Sequence, residues 1–339
     1  MRTPSVSVIM PSYNHAPYIQ DSIRSVLKQS FPDFELLIED DGSTDGSHEV
    51  IRSVHDPRIH FVANERNQGA GTVTRHLLER ARGQYIALIN SDDIWLPNKL
   101  AVQMQFLENN PDIGAVFSRV QYIDPQNRGL PKSSLPWGHV FDVNNRSRAE
   151  WLRHFLFKGN CLCNPTSLIR RKVYNTIGYY DNRLRQLPDF DLWIRLVKHF
   201  DIHILSEPLI EFRLMINEQN ASGDTPNNAI RVINEYMLIA FSFFDNVSRE
   251  MLQDGFSDLL KFKYLPTTEH EDIEKVLLLF SDAPWLDHMF KIIGLQKLHA
   301  LLASPAHRTI LSGDYGIDDR SFHDLMGKAN AFRPNLAGE

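Results

Sequence analysis

Two doublets of adjacent carboxylates, Asp40-Asp41 and Asp92-Asp93, are the first residues of this chain that point to chemistry. Adjacent carboxylates repel, and a nearby cation stabilises their ionised forms. Hard carboxylate oxygens suit Mg²⁺ or Mn²⁺, which commonly bridge a protein carboxylate to substrate phosphates. Turns also favour Asp and Gly, so either doublet alone reads as a solvated turn. Their repetition at corresponding places in the chain favours a metal–diphosphate site.

Those places are the ends of predicted strands. Residues 6–10 form a compact apolar run closed by Pro11, 34–38 a second, and 85–89 a third. Strand patterns are also expected over 59–62 and 113–120, and helices over 16–29, 47–54, 72–82 and 97–108. The first helix gathers Ile19, Ile23, Val26 and Leu27 on one face. This alternation predicts an α/β fold, a mostly parallel, Rossmann-like sheet flanked by helices. Ligands bind beyond the carboxyl ends of such strands. Pro11-Ser12-Tyr13-Asn14, Asp40-Asp41-Gly42-Ser43-Thr44-Asp45 and Asn90-Ser91-Asp92-Asp93 occupy those ends.

Residues 124–148 read as loop, and helix and strand signals return over 150–213. A polar break near 218–228 marks the expected boundary, giving a catalytic domain over 1–222 and a mainly helical C-terminal extension over 223–339. Apolar groups such as Phe241-Ser242-Phe243-Phe244 in the extension read first as a packed helical domain. Closure over an acceptor, a homo-oligomer contact and peripheral membrane association are the other readings.

At 339 residues, 42% hydrophobic and 23% charged, the chain can bury a sizeable core. Its net charge of -6 argues against a general nucleic-acid binder, and the acidic excess lies entirely beyond Ser222. Cys161 and Cys163 cannot supply a disulfide framework and read as reduced thiols. Neither a signal peptide nor a bilayer-spanning run is evident, so a cytoplasmic protein is expected.

Several motifs together resemble family 2 glycosyltransferases of the GT-A fold. They are the run from Val6 to Asn14, Gln29-Ser30-Phe31, Phe34-Glu35-Leu36, the segment from Asp40 to Asp45, and Asn90-Ser91-Asp92-Asp93. The resemblance covers roughly residues 5–215. It implies inverting transfer of a sugar from a nucleotide diphosphate donor, UDP-sugars foremost, to a saccharide or lipid-linked saccharide in surface polysaccharide or lipopolysaccharide synthesis. It also implies a divalent metal and a location at the inner face of the membrane. Pro11, Tyr13 and Asn14 match the nucleoside cradle, Asp41 the carboxylate that accepts from the base, and Arg75 a position near the donor. Asp92 and Asp93 match the end of the family's Asp-x-Asp-Asp pattern, where one carboxylate contacts ribose or metal and another binds metal, so both are candidate metal ligands; Asn90 stands where its first Asp usually is.

The stretch Leu187-Pro188-Asp189-Phe190-Asp191-Leu192-Trp193-Ile194-Arg195 resembles the family's Glu-Asp-x-x-Leu-Trp-x-Arg. Asp189 falls on the catalytic base, with Asp191 its competitor and Pro188 in place of Glu. In-line displacement needs such a carboxylate opposite the leaving diphosphate. The segment 159–166 resembles the loop near the acceptor. Arg213 stands near the family's diphosphate partner, as does 217–222.

Three rivals are weaker. A nicotinamide enzyme would carry Gly-x-Gly-x-x-Gly after the first strand, where this chain has Pro11-Ser12-Tyr13-Asn14. A nucleotidyltransferase would carry a basic, glycine-rich loop there. A degenerate nucleotide-sugar-binding domain draws only on Asn90 and Pro188.

Overall fold

The computed structural model describes residues 3–215, 223, 225–281 and 287–329. The chain divides into two compact units, one comprising Met1–Asn145 and Cys161–Arg231, the other Arg146–Asn160 and Val232–Glu339. The division thus falls beyond the expected 222/223, inside a helix rather than in the polar break. It also assigns Arg146–Asn160 to the second unit, although this segment lies early in the sequence. Part of the expected linker, 216–222 and 224, lies outside the described residues.

The first unit is built on a sheet of nine strands among the described residues. They are β1 (Val6–Ser12), β2 (Phe34–Asp40), β3 (Ile59–Ala63), β4 (Tyr85–Leu88), β5 (Ile94–Trp95), β6 (Ile113–Ile123), β7 (Gly129–Leu130), β8 (Leu168–Arg170) and β9 (Asp201–Arg213). Their order is β3-β2-β1-β4-β8-β6-β9-β5, with β7 paired to β6. β1, β2, β3, β4, β6 and β9 run one way, and β5, β7 and β8 oppose them. The expected mostly parallel α/β sheet is present.

β2 is buried along its whole length and β1 nearly so, as parallel strands covered on both faces are, and the polar residues within them are met by protein rather than solvent: Ser7 Oγ donates to Glu35 at 2.6 Å. Val6, Val8, Leu36 and Ile38 share one core with Ile19, Ile23 and Val26 of α1 (Ile19–Leu27). Truncating a fully buried residue such as Leu36 to Ala should destabilise by about 2–5 kcal/mol. α2 (Ser47–Ser53), α3 (Ala70–Arg80) and α4 (Lys99–Asn109) follow β2, β3 and β5.

α5 (Arg148–Lys158) opens with a reciprocal cap between Ser147 and Glu150 and belongs to the second unit. There Arg153 donates to the Gly255 carbonyl at 2.9 Å and to Asp258 Oδ2 at 2.9 Å. α6 (Arg171–Ile177) and α7 (Pro188–Val197) return to the first unit. The rest of the second unit is helical: the larger part of α8 (Pro226–Ser242), then α9 (Arg249–Phe256), α10 (Thr268–Leu277), α11 (Asp287–Ala303), α12 (Pro305–Ile310) and α13 (Asp319–Lys328). Ile273, Val276, Leu298, Leu302, Leu311, Tyr315 and Phe322 form its own core. Phe243 and Phe244 are buried, whereas Phe241 is exposed. Among the described residues no helix is long and apolar enough to cross a membrane.

Candidate active site

Three polar segments converge at the carboxyl ends of β1, β2 and β4, as the strand pattern predicts. Beyond β1, Asn14 takes a positive φ of 52°. Its N–H donates to Ser43 Oγ at 2.7 Å, and its Oδ1 accepts from the Thr44 N–H at 2.9 Å. Asn14 therefore ties the end of β1 to the turn after β2. Pro11 is half-buried within β1, and the Tyr13 ring beside it is 46% exposed, leaving a face open to a planar ligand.

The doublet after β2 is saturated by its own neighbours. Asp40 is fully buried and accepts from Ser12 Oγ (2.9 Å), the Ser43 N–H (2.8 Å) and Ser43 Oγ (2.7 Å), with His48 Nε2 2.6 Å away. Asp41 accepts the N–H of Gln68 at 2.7 Å on one oxygen and that of Gly69 at 2.8 Å on the other. Gly42 permits this arrangement: its φ is +76°, and a Cβ there would lie 2.8 Å from the Arg66 carbonyl carbon. Each Asp41 oxygen keeps a second lone pair, so a further donor can still be received.

The doublet beyond β4 is different. Asp93 is buried; its Oδ1 accepts the Arg213 N–H at 2.9 Å and its Oδ2 the Asn90 amide at 3.0 Å. An Asp at position 90 could not make that donation when ionised. The Asp92 carboxylate, also buried, accepts from its own N–H and, among the described residues, from no other donor. Burial pushes the Asp92 carboxyl up, opposed by the charges of His15 and Arg213. Burial, then the charge of Asp92, pushes Asp93 further still. A cation beside Asp92 would relieve this destabilisation of the ionised form.

Arg213, at the end of β9, is almost fully buried. Its Nε donates to the Asp92 carbonyl at 2.7 Å and its Nη1 to the Asp124 carbonyl at 2.8 Å, and its guanidinium lies 4.8 Å from the Tyr18 ring centroid. Nη2 is buried without a hydrogen-bond partner. His15 went unremarked in the sequence reading, yet its Nδ1 lies 2.7 Å from Ser91 Oγ and links β1 to the Asp92 loop. Its position between two motifs was the available signal.

Asp189 and Asp191 both lie in the first turn of α7, where the helix N-terminus favours negative charge. Pro188 is the first residue of that helix, a position that suits proline. Asp191 is committed to Arg195, its Oδ2 accepting from Nε at 2.9 Å and Nη2 at 2.7 Å. Asp189 is half-buried and accepts the Phe190 N–H at 2.8 Å. The buried Cys163 thiol links the acidic groups: burial first, then the charges of Asp93 and Asp189, push it well up. Asp189 therefore neighbours the same strand ends as Asp93.

Arg75 is not drawn into this assembly; on the exposed surface of α3 its Nε donates to Glu79 at 2.8 Å. Residues 217–222 lie outside the described residues. Among the described residues, no group of three or more His, Cys, Asp or Glu side chains is placed to hold a metal. Asp92 fits a Mg²⁺ or Mn²⁺ whose remaining ligands are donor phosphates and water, a common arrangement for these ions.

A family model described as Glycosyl transferase family 2 matches residues 7–178. The chain is 35% identical over 217 residues to the putative teichuronic acid biosynthesis glycosyltransferase TuaG of Bacillus subtilis, covering 63% of this chain and 81% of the relative. It is 43% identical over 105 residues to the Escherichia coli UDP-Glc:alpha-D-GlcNAc-diphosphoundecaprenol beta-1,3-glucosyltransferase WfgD, covering 31% of this chain and 42% of that one. Among solved structures, S. aureus TarS 1-349 in complex with UDP-GlcNAc aligns with a TM-score of 0.60 at 18% identity, over 97% of this chain and 93% of that one. Against the longer TarS chain the match spans 55% of its length.

Proposed function

Because the chain belongs to glycosyltransferase family 2, we propose that it moves a sugar from a nucleotide diphosphate donor, a UDP-sugar foremost, to an acceptor hydroxyl with inversion at the anomeric carbon. The observation that carries this reading is the buried Asp92 carboxylate, met only by its own N–H and adjacent to Arg213, whose Nη2 has no partner. One group attracts a cation and the other an anion. A metal-bridged diphosphate answers both.

In this reading the first unit carries the reaction. Tyr13 offers its exposed ring to the base, Pro11 and Asn14 shape the turn beneath it, and Asp41 accepts a hydrogen bond from the base through a remaining lone pair. Asp92 holds the divalent ion, and Arg213 contributes its free N–H to the diphosphate. A bound Mn²⁺ or Mg²⁺ would supply positive charge against the leaving phosphate. Asp93 positions Asp92 by fixing the Asn90 and Arg213 sides of the loop. Asp189 takes the proton of the attacking hydroxyl, while Asp191 holds Arg195 and orients the helix. Arg75 is assigned no part at the donor.

The acceptor is proposed to be a saccharide or lipid-linked saccharide, in surface polysaccharide or lipopolysaccharide synthesis. The names of TuaG and WfgD support this. The reading sets the reaction in the cytoplasm at the inner face of the membrane.

Calorimetric binding of UDP, GDP, dTDP and CDP, each with Mn²⁺ and with EDTA, tests the donor assignment. Binding of UDP that weakens in EDTA is the expected result. Binding of none of the four would overturn the reading.

A further inference from the structure

β6 and β9 carry three buried polar atoms that make no hydrogen bond, although Arg119 Nε lies 4.0 Å from Asp142 Oδ1. Arg119 Nε and the Tyr122 hydroxyl on β6, and Arg213 Nη2 on β9, are buried with no hydrogen-bond partner. The strand register sets Tyr122 beside Phe212 and Ile123 beside Arg213. Cross-strand partners share a sheet face, so Tyr122 lies with Phe212 on one face and Arg213 with Ile123 on the other. The buried Tyr122 hydroxyl is a costly atom to leave unanswered, and a polar ligand or water on its face would complete it.

An aromatic shelf rises from the same strand ends. The Tyr122 ring meets Trp137 edge-on at 5.6 Å and Phe212 at 6.1 Å, and Phe141 lies 6.2 Å from Phe212. Tyr122 is buried, but Trp137 is 46% exposed at the tip of a loop. That loop is built rather than slack. Asp142 binds Lys132 and lies 2.9 Å from His139 Nδ1, and Trp137 O accepts the Val140 N–H at 2.9 Å. Gly138 fits so closely that a Cβ would come within 2.1 Å of the Lys132 carbonyl oxygen. An indole on a built loop, 46% exposed, suits a sugar ring, which pairs an apolar C–H face with hydroxyls at its edge.

We propose that Trp137 is the platform on which a sugar ring of the acceptor stacks, with Tyr122 behind it as the positioning residue. This rests on the transferase reading above. The donor's base is assigned to the ends of β1 and β2, whereas Trp137 stands over β6. β4 and β8 intervene between β1 and β6, a separation of roughly 14 Å at ordinary strand spacing. The nucleoside therefore does not compete for the indole.

The test compares wild type, Trp137→Ala and Trp137→Phe with UDP-N-acetylglucosamine or UDP-glucose and Mn²⁺. Donor hydrolysis in water and transfer to a panel of p-nitrophenyl glycosides are both measured. Trp137→Ala should raise the glycoside KM at least tenfold, leave the donor KM and hydrolysis within twofold, and melt with wild type. Trp137→Phe should keep at least a third of the transfer. An unchanged transfer-to-hydrolysis ratio in Trp137→Ala would overturn the platform, as would an equal fall in both rates. Hydrolysis without transfer to any glycoside would overturn the saccharide class. A wild type that neither binds UDP nor hydrolyses either donor would overturn the transferase reading and this proposal with it.

Discussion

Asp40-Asp41 and Asp92-Asp93 are the same dipeptide in corresponding places, at or just beyond the ends of β2 and β4, and the structure gives them different environments. Asp40 and Asp41 gather hydroxyl, imidazole and backbone N–H groups until every carboxylate oxygen has a partner. Asp93 likewise has a partner on each oxygen, but Asp92 has only its own N–H, and burial destabilises the charge of both. The first doublet joins the β1 end to the loop before α3; in the proposed reading the second leaves Asp92 for a divalent cation. Burial alone does not mark a metal ligand. Buried charge without local donors does.

If this contrast holds, neither doublet moves the proton. Asp189→Asn should lower transfer by roughly 10² to 10⁴, the usual range for general acid–base catalysis, with UDP affinity unchanged. Transfer within a few-fold of wild type, followed by product chromatography, would return the base role to another carboxylate. Next in size is Asp40→Ala. It leaves the buried donors of Ser12, Ser43 and His48 unmatched, and unsatisfied buried groups cost about 1–3 kcal/mol. A lower midpoint in urea is expected, with the Mn²⁺ response of the folded protein intact; loss of that response would erase the distinction between the doublets.

The second unit offers a cationic counterpart of smaller effect. Burial, with the charges of Arg146 and Lys158, lowers His154 to about 4 from its ordinary 6.5. Between those values the unfolded chain binds a proton that the folded chain refuses, so stability should fall as pH falls through that window. Because His154 is only half-buried, about 1 kcal/mol is the expected size after solvent screening. His154→Gln should flatten urea midpoints between pH 6.5 and 4; an unflattened profile would show that another group governs this range.

Much of the site was legible before the structure. Apolar runs that give way to Pro11, Glu39-Asp40 and Asn90 mark the strand ends to within a residue or two, β1 running on to Ser12 and β2 to Asp40. Less legible was which carboxylate of each doublet remains open. That depends on donors distant in sequence, such as Gln68 and Gly69 for Asp41 and Arg213 for Asp93. The Arg195 ion pair of Asp191 supports the proposal of Asp189 as base, and Arg195 already stood at helical spacing from Asp191 in the sequence. β5 and β7 are two residues each, too short for a periodic signal. The assignment of α5 to the second unit depends on contacts such as Arg153–Asp258 that local patterns do not encode. Trp137 lay in a segment read as loop, and its exposure became visible only with Tyr122 packed beneath it.

The central claim is that Asp92 is the carboxylate left for the metal and Asp93 its support. It is tested most directly by titrating Mn²⁺ into wild type, Asp92→Asn and Asp93→Asn at fixed UDP and following binding by calorimetry. The account predicts that wild type binds UDP at least tenfold more tightly with Mn²⁺, about 1.4 kcal/mol. Asp92→Asn should lose that gain, and Asp93→Asn should keep most of it while melting lower. A Mn²⁺ gain that survives Asp92→Asn and vanishes in Asp93→Asn would contradict the account.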